Sequence, residues 1–293
     1  MGARVPQHQD GRGQGRRSGG RIAGQARLHR LRPQTRAAIE AARAALPLLH
    51  DRRAADQREA RKHLDYSTGT DKAVELLLIE RLSAAFPDYG FLGEETGLSG
   101  NRDSFWVLDP ICGTINYAIG LPIYNVNVAL VEAGQVSCGV LLEPVAGQLY
   151  WAERGAGSYA ESGADGEPTD TRRLQVSERS ATISVDYGHR TASGEVDVML
   201  RLMSRVLKER LWNVRVLAAS LVLAYLASGR LAAHVVESIN PWDMCAGALI
   251  AEEAGAIVSD FQGQPWRYDS SQLVCAASPA IHARLLELLT TSE

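Results

Sequence analysis

Three acidic spots in this sequence lie where predicted secondary structure elements begin or end. Glu94-Glu95 follows a predicted strand, Asp109 ends a buried apolar run, and Asp243 opens a helix of small residues. Magnesium takes oxygen ligands in proteins, commonly one or two carboxylates together with waters and substrate phosphate oxygens. Carboxylates that arrive from three separate segments therefore indicate a metal site of the kind that hydrolyses phosphate esters.

Each acidic spot also has a purely structural interpretation. Glu94-Glu95 can be a solvated turn, and Asp109-Pro110 can be a turn that ends a strand. Asp243 can simply neutralise the N-terminus of its helix. The order of the three spots and the residues around Asp109 decide between the two interpretations.

Two helices are predicted ahead of the first acidic spot. From Thr35 the apolar residues recur at helical spacing, and a second helix is predicted from residue 71 to about residue 85. Thr70 or Asp71 is expected to cap this second helix, and Pro87 to stop it. The two apolar stripes are Ile39, Ala42, Leu46 and Leu49, and then Val74, Leu77, Leu78 and Leu82.

Beyond Pro87 the pattern changes to strands and then to alternating strands and helices. Strands are predicted at 105–108, 123–131, 136–142 and 148–152, and a polar, glycine-rich surface loop at 160–173. The second half places strands at 181–185, 231–236, 257–258 and 273–276, and helices at 195–208, 218–228, 241–254 and 280–289. Strands in the middle with helices on both sides predict a layered α/β sandwich.

Composition argues against several other classes of protein. The 293 residues carry a formal net charge of -3, so no global field favours nucleic acid or a membrane as partner. No apolar run is long enough to span a bilayer. The four cysteines show no CxxC spacing and no secretory signal precedes them, which favours a cytoplasmic protein. Without GxGxxG or GxxxxGK[ST], a nucleotide-cradling loop is not supported.

The N-terminal segment, residues 1–34, differs from the rest of the chain. It is rich in arginine, glycine and glutamine, and Asp10 is its only acid. This composition predicts a disordered tail or an over-extended start of the reading frame. A nucleic-acid-binding or organelle-targeting arm is the alternative, although no amphipathic helix is evident within it.

The segment 106–117, with the sequence WVLDPICGTINY, resembles the signature loop of the inositol monophosphatase family, W-x-[IV]-D-P-[IL]-D-G-T-x-N-[FY]. Three more family elements are matched in family order. They are TGTD at 68–71, GEET at 93–96, and WDMCAG at 242–247 followed by EAGA at 253–256. The resemblance runs from about residue 35 to the C-terminus.

The resemblance implies a fold and an activity. The fold would be α/β (α+β), the layered αβαβα sandwich of sugar phosphatases, over residues 35–293 with halves at about 35–180 and 181–293. The activity would be hydrolysis of a small phosphate monoester with Mg²⁺ at two or three sites and a metal-activated water. A homodimer is also implied by the resemblance, while the cytoplasmic location and the absence of a membrane or nucleic-acid partner are predicted from composition alone.

The resemblance also implies a metal-ligand set. The first metal would be held by Glu94, Asp109 and the backbone carbonyl of Ile111. Because the metal acts in catalysis, Glu94 would also count as a catalytic residue. Asp109, Asp243 and the residue at position 112 would hold the second.

Further residues are assigned to the water and the substrate by the same resemblance. Thr114, paired with Asp71, would orient the attacking water. The N–H groups of Gly113 and Thr114 would hold the phosphate next to Asp243, because exposed amides and a helix dipole favour an anion. Glu237 would reach a hydroxyl group of the substrate.

The family's second loop aspartate is Cys112 in this chain. A free thiol has a pKa near ~8.5, and magnesium prefers hard oxygen to soft sulfur. The second site is therefore expected to bind Mg²⁺ weakly. A less active enzyme, a site that takes Mn²⁺ or Zn²⁺, an inactive fold, or an accidental substitution at this position all stay open.

The substrate pocket also departs from the family pattern. The family's G-[ST]-A segment is Ala218-Ala219-Ser220 here, and Ala218 adds a methyl group near the pocket. This argues against inositol phosphate itself, and sugar phosphates, nucleotides and a biosynthetic intermediate stay open as substrates. A weakly active or inactive member that acts as a binding or regulatory protein is the alternative function.

Overall fold

The structure, a computed structural model, describes residues 31–51, 58–60, 66–163, 170–187 and 193–290. Its first helices are α1 (Pro33–Ala44), α2 (Leu46–His50) and α3 (Gly69–Ala85). The predicted stripe of the first two is fully buried, which confirms the helical pattern from Thr35. Residues 1–30 of the arginine-rich N-terminal segment lie outside the described part of the chain, so the interpretation of this segment stays a prediction.

The N-terminus of α3 is capped by Thr68, so the predicted cap at Thr70 or Asp71 is wrong. The Thr68 hydroxyl accepts from the backbone N–H groups of Thr70 and Asp71, and the Asp71 carboxylate accepts in return from the Thr68 N–H at 2.9 Å. This reciprocal arrangement is a capping box, in which the third helical residue carries the acid. The helix ends at Ala85, two residues before Pro87, as the sequence predicts.

An eight-stranded sheet forms the second layer, and a separate strand pair, β1 (Arg58–Ala60) and β2 (Tyr66–Thr68), precedes it. The strands of the sheet are β3 (Gly90–Gly93), β4 (Gly97–Ser99), β5 (Ser104–Cys112), β6 (Asn125–Glu132), β7 (Gln135–Glu143), β8 (Gln148–Glu153), β9 (Gly157–Ser162) and β10 (Asp170–Arg173). Their order in the sheet is β10-β9-β8-β7-β6-β5-β3-β4. All neighbouring strands are antiparallel except β3 and β5, which run parallel.

Two strand predictions in this sheet need correction. The strand expected at 105–108 continues to Cys112, with a bulge between Asp109 and Cys112 that re-aims these side chains. The loop expected at 160–173 is replaced at both ends by strand, because β10 pairs with β9 and forms the edge of the sheet. Edge strands commonly carry polar residues, so composition alone could not separate this strand from a loop.

A five-stranded sheet forms the fourth layer, in the order β12-β11-β13-β15-β14. Its strands are β11 (Thr182–Tyr187), β12 (Asn213–Arg215), β13 (Ala233–Glu237), β14 (Ile257–Ser259) and β15 (Gln272–Ala276). Helices α5 (Ser193–Lys208) and α8 (Pro279–Thr290) cover its outer face. The strand β12 is absent from the sequence-based prediction.

Helices α6 (Leu221–Ala227) and α7 (Pro241–Glu253) lie between the two sheets. The contact is close: a Cβ added at Gly139 of β7 would lie 2.7 Å from the Ala246 carbonyl oxygen of α7. A Cβ at Gly247 would lie 2.6 Å from a Leu223 methyl group. The α1/α3 layer, two sheets, the α6/α7 layer and the α5/α8 layer together confirm the predicted αβαβα sandwich.

The helix predicted at 218–228 begins only at Leu221. Ala218 has a φ of 52°, in the left-handed region, so it cannot continue a right-handed helix. Residues 218–220 instead line a cavity. Among the described helices, none is both long and apolar enough to cross a membrane.

Candidate metal centre

The first acidic cluster consists of Asp71, Glu94 and Glu95. Each offers a carboxylate oxygen, and these oxygens lie within 4.8 Å of one another. Asp71 is in the first turn of α3, and the two glutamates follow the end of β3. We call this set the oxygen cluster.

Buried side chains fix the loop that carries the two glutamates. The Glu75 carboxylate, fully buried on α3, accepts from the backbone N–H of Glu95 at 2.9 Å and of Thr96 at 2.8 Å. The Ser67 hydroxyl donates to Glu95 at 2.9 Å. Gly93 is required here, because a Cβ would lie 2.2 Å from a Glu75 carboxylate oxygen.

The second cluster consists of Asp109, Cys112 and Asp243, with one ligand atom of each within 4.8 Å of the others. The bulge in β5 brings Asp109 and Cys112 together, and Asp243 comes from the first turn of α7. Its carboxylate also caps that helix, since it accepts from the Asn240 N–H at 2.7 Å. We call this set the mixed cluster, because one of its three ligand atoms is sulfur.

The two clusters adjoin through the parallel pairing of β3 and β5. The Glu94 N–H donates to the Leu108 carbonyl at 3.2 Å, which sets Glu94 beside Asp109. Burial raises the pKa of Asp109 well above its usual range, and the negative charges of Glu94 and Asp243 raise it further. No N–H or O–H group of the described residues donates to Asp109 Oδ1, although this atom is buried. A buried carboxylate among other carboxylates needs a cation, so these residues fit a divalent metal.

The Cys112 thiol differs from the neighbouring carboxylates in its protonation. Burial raises its pKa well above the ordinary value, and the charges of Asp109 and Asp243 act in the same direction. The Ser220 N–H donates to its sulfur at 3.1 Å. Without a metal the side chain is therefore a neutral thiol, and it becomes a charged ligand only when a metal displaces its proton.

Asp71 of the oxygen cluster also forms a proton-handling pair with Thr114. The Thr114 hydroxyl is 3.2 Å from Asp71 Oδ1 and 3.0 Å from the Ile111 carbonyl oxygen, and its one hydrogen can serve only one of them at a time. Burial raises the pKa of Asp71 to about 6, while the hydrogen bonds from Thr68 partly oppose this shift. Asp71 can therefore both hold and release a proton near neutral pH.

The loop turn at Gly113 depends on glycine. Gly113 has a φ of 94° and precedes α4 (Thr114–Ile119), and a Cβ at this position would lie 3.0 Å from the Ile123 carbonyl oxygen. Glycine alone adopts this conformation without strain and lets the chain approach so closely. The predicted role of the Gly113 and Thr114 N–H groups toward a phosphate stays a prediction.

A cavity of about 780 Å³, including the part open to solvent, joins the two clusters to the second sheet. Glu94, Cys112 and Asp243 are among the residues that line it. Asp186 and His234 line it as well, although sequence analysis selected neither of them. The cavity therefore combines candidate metal ligands with polar groups that could contact the rest of a ligand.

The structure does not bring Glu237, a predicted substrate contact, to the cavity. It lies at the end of β13, and its Oε1 accepts from Gln272 Nε2 at 2.8 Å. Within the part of the chain that the structure describes, it is not among the residues that line the cavity. Its contact with substrate stays a prediction.

A buried amide network supports the mixed cluster, and sequence analysis missed it. Asn125 Nδ2 donates to Asn127 Oδ1 at 2.8 Å, and Asn127 Nδ2 lies 2.9 Å from the Ser220 hydroxyl and 3.0 Å from the Trp242 carbonyl oxygen. The available signal was two asparagines at i and i+2 in an otherwise apolar strand. Such residues share one face of the strand, and buried amides need partners.

The comparisons with known proteins agree with this geometry. Residues 30–293 match the model of the inositol monophosphatase family. The chain is 35% identical over 207 residues to the Nus factor SuhB of Xylella fastidiosa, covering 69% of this chain and 72% of the relative. It is 33% identical over 228 residues to an inositol-1-monophosphatase of Mesorhizobium japonicum, covering 76% and 82%. The crystal structure of the extragenic suppressor protein SuhB of Bartonella henselae is similar with a TM-score of 0.79 and 28% identity, covering 89% of this chain and 99% of that one.

Proposed function

The chain belongs to the inositol monophosphatase family of metal-dependent phosphatases, and from this premise we propose that it hydrolyses the monoester of a small polyhydroxylated metabolite. The observation that carries the proposal is the convergence of two ligand clusters on one cavity, with Thr114 paired to Asp71 of the oxygen cluster. A phosphate held at one end of this cavity would lie next to both clusters.

The proposed roles follow from the positions of the side chains. A divalent cation, when bound by Glu94, Asp109 and the Ile111 carbonyl, would neutralise phosphate charge and make a bound water more acidic. Thr114 then orients the attacking water through its hydroxyl, and Asp71 Oδ1 accepts the proton that the hydroxyl passes on. Asp109 is shared with the mixed cluster, where Cys112 and Asp243 complete the ligand set.

The two metal positions are proposed to differ in metal preference. The first position, at Glu94, Asp109 and the Ile111 carbonyl, offers oxygen ligands alone, which suits Mg²⁺. The second position, the mixed cluster, offers a thiol as well. Thiolate ligands favour Zn²⁺ over Mg²⁺, and Mn²⁺ is expected to accept a thiolate ligand better than Mg²⁺ and less well than Zn²⁺. We therefore propose Mg²⁺ at the first position and Mn²⁺ or Zn²⁺ at the second.

The test is a screen for phosphate release. The purified protein is incubated with myo-inositol 1-phosphate, a hexose phosphate, a nucleotide 5′-monophosphate and a nucleoside 3′,5′-bisphosphate, each with Mg²⁺, Mn²⁺ or Zn²⁺. We expect metal-dependent release from at least one monophosphate and none after chelation with EDTA. Absence of release from every substrate with every metal would reject the phosphatase proposal.

A second candidate function rests on Cys112 and on the name of one relative. A weakened second metal position lowers activity, and the Xylella fastidiosa relative is called a Nus factor. On this alternative the chain acts as a binding or regulatory protein. No turnover with any metal, together with salt-sensitive RNA binding that is lost when residues 1–34 are deleted, would favour it.

Two properties complete the proposal. We propose a cytoplasmic protein, because all four cysteines are free and buried, as in a reducing compartment. We also propose a homodimer, on the family resemblance alone. Sedimentation equilibrium at micromolar concentration tests the second of these.

A further inference from the structure

The side chain of Asn127 contacts more of the mixed cluster than the rest of the buried amide network does. Asn127 is 1% exposed on β6, and the strand register sets it directly opposite Asp109 of β5. Residues paired across two strands lie on the same face of a sheet, so the amide faces the carboxylate. Its Nδ2 lies 3.5 Å from Asp109 Oδ2, 3.0 Å from the Trp242 carbonyl oxygen and 3.5 Å from the Asp243 carbonyl oxygen. One side chain therefore lies against both segments that carry the carboxylates of the mixed cluster.

Ser220 connects Asn127 with the third ligand of the mixed cluster, Cys112. The Ser220 hydroxyl lies 2.9 Å from Asn127 Nδ2, and the Ser220 backbone N–H donates to Cys112 Sγ at 3.1 Å. Together with the contacts to Asp109 and to the helix of Asp243, this link ties Asn127 to all three ligands.

Two hydrogen-bond partners fix the direction in which the Asn127 amide points. Its Oδ1 accepts from Asn125 Nδ2 at 2.8 Å and lies 3.1 Å from the Ser220 hydroxyl. On the other side, the carbonyl oxygen of Trp242 can only accept a hydrogen bond, so the NH₂ group must face it. The network therefore orients the amide, and the amide in turn donates to the segments of the mixed cluster.

A neutral donor suits this position better than a charged one. The charges of Glu94 and Asp243 raise the pKa of Asp109, because they repel its negative charge. An ammonium or guanidinium group in place of the amide would offset this repulsion, but it would also repel a metal cation from the same carboxylate. An amide holds the carboxylate next to the helix and leaves the negative charge available to a metal.

We infer that Asn127 is a positioning residue, whose amide fixes Asp109 relative to α7 and so assembles the second metal position before a metal binds. This inference rests on the proposed use of the mixed cluster as a metal position, and it concerns metal affinity at that position. Residues that orient metal ligands commonly change metal affinity about 10- to 100-fold when they are replaced.

Asn125 provides a matched control. It is as buried as Asn127, lies in the same strand and is paired across the strands with Cys112. Its Nδ2 donates to Asn127 Oδ1 and to the Ser220 hydroxyl. Among the described residues it has no hydrogen bond to α7 or to a ligand of the mixed cluster. Replacing Asn125 therefore damages the same network without removing the contacts that carry the inference.

The experiment follows the binding of Co²⁺ to the full chain after its metals have been removed with EDTA. Co²⁺ accepts both thiolate and carboxylate ligands. A Co²⁺–thiolate bond absorbs light by charge transfer, so the absorption band reports a metal bound to Cys112. The band should be missing in Cys112→Ser, which assigns it to this position.

The comparison is between Asn127→Leu and Asn125→Leu. Leucine keeps the branched shape of asparagine and removes its donors and its acceptor. The Co²⁺ concentration that gives half of the full band should rise about 10-fold or more in Asn127→Leu and less than about 3-fold in Asn125→Leu. Thermal unfolding in EDTA checks that both variants are folded during the titration. If either is not, Asn127→Ser and Asn125→Ser replace the pair with the same expected order, because a serine at position 127 is too short to reach the Trp242 carbonyl.

The outcomes separate this inference from the proposed activity. Selective weakening at position 127 supports the inference even when the phosphatase screen finds no substrate. Equal weakening in both variants, or unchanged Co²⁺ binding in Asn127→Leu, overturns it even when the screen succeeds. The absence of the band in the wild-type protein also overturns it, since Cys112 would then bind no metal.

Discussion

The oxygen cluster and the mixed cluster lie side by side, yet different kinds of residue support them. The loop that carries Glu94 and Glu95 is held by the carboxylate of Glu75, which accepts from two backbone N–H groups of that loop, and Asp71 is held by the N–H of Thr68. The mixed cluster is instead supported by neutral groups, which are the side-chain amide of Asn127 and the hydroxyl and backbone N–H of Ser220.

This difference explains how the effect of one substitution can be limited to one of the two clusters. Cys112 contacts Ser220, whereas the glutamate loop is fixed by Glu75 from another layer of the fold. A change at position 112 therefore alters the ligand chemistry of the mixed cluster and leaves the supports of the oxygen cluster intact. Asp109 is the residue through which the two clusters are coupled, since Glu94 and Asp243 both raise its pKa.

The largest expected effect comes from Asp109→Asn, which removes the carboxylate that is proposed as a ligand at both metal positions. We expect activity to fall on the order of 1,000-fold, because charge stabilisation by a bound metal is worth several kcal/mol. The metal-free protein should become more stable, since repulsion with Glu94 and Asp243 is relieved. Its thermal midpoint should rise by a few degrees, at about 2–4 °C per kcal/mol.

Phosphate-release assays and calorimetry in EDTA check both parts of this prediction. Asp103→Asn, at an exposed aspartate before β5, is the matched control and should change neither quantity. Loss of activity together with loss of stability would mean that Asp109 has a structural role instead.

The next effect in size tests the proton-handling pair. Thr114→Ala should lower kcat about 100-fold with little change in KM, because the hydroxyl between the water and Asp71 is lost. Thr114→Ser keeps the hydroxyl and should retain most of the activity. Steady-state kinetics at saturating metal measure both variants, and a serine variant as inactive as the alanine variant would contradict the assigned role.

The support of the oxygen cluster is tested by Glu75→Gln. A glutamine presents an NH₂ group where one of the two backbone N–H donors now finds an oxygen, so the glutamate loop loses part of its support. We expect the Mg²⁺ concentration for half-maximal activity to rise about 10-fold or more, as for other residues that orient metal ligands. Glu80→Gln, at an exposed position of the same helix, is the control.

Magnesium titration of activity, compared with manganese titration, measures this effect. Equal behaviour of Glu75→Gln and the Glu80→Gln control would show that Glu75 does not set the affinity of the oxygen cluster.

The smallest expected effect concerns the mixed cluster. Cys112→Asp should raise Mg²⁺-supported activity by roughly 10-fold or less, because a hard carboxylate replaces a neutral thiol beside Asp109 and Asp243. Cys112→Ser removes the sulfur without adding charge, and it should not reproduce the gain. If Cys112→Asp is no more active and binds Mg²⁺ no more tightly by isothermal titration calorimetry, the interpretation of this position is wrong.

Local patterns were sufficient for most elements of the fold. The helical spacing from Thr35 and from Val74 to Leu82 predicted α1, α2 and α3, because burying an apolar stripe requires that period. The strand β10 and the short β12 could not be predicted in this way. Both are edge strands that exist because a neighbouring strand offers hydrogen bonds, and their own sequences are polar.

The residues of the candidate site also include some that the sequence predicts and some that it does not. Signature residues such as Glu94, Asp109 and Thr114 could be selected from sequence, because their spacing in the loops is distinctive. Glu75 could not, since it binds backbone N–H groups of a loop that is distant along the chain.

The sequence by itself determined which ligand atoms are available, including the sulfur at position 112, because ligand chemistry is a property of side-chain type. It also determined the layered fold class, through the periods of its apolar residues. Tertiary structure alone decided which atoms meet. The bulge in β5 sets Cys112 beside Asp243, and the pairing of β11 with β13 sets Asp186 beside His234, by contacts that no local pattern encodes.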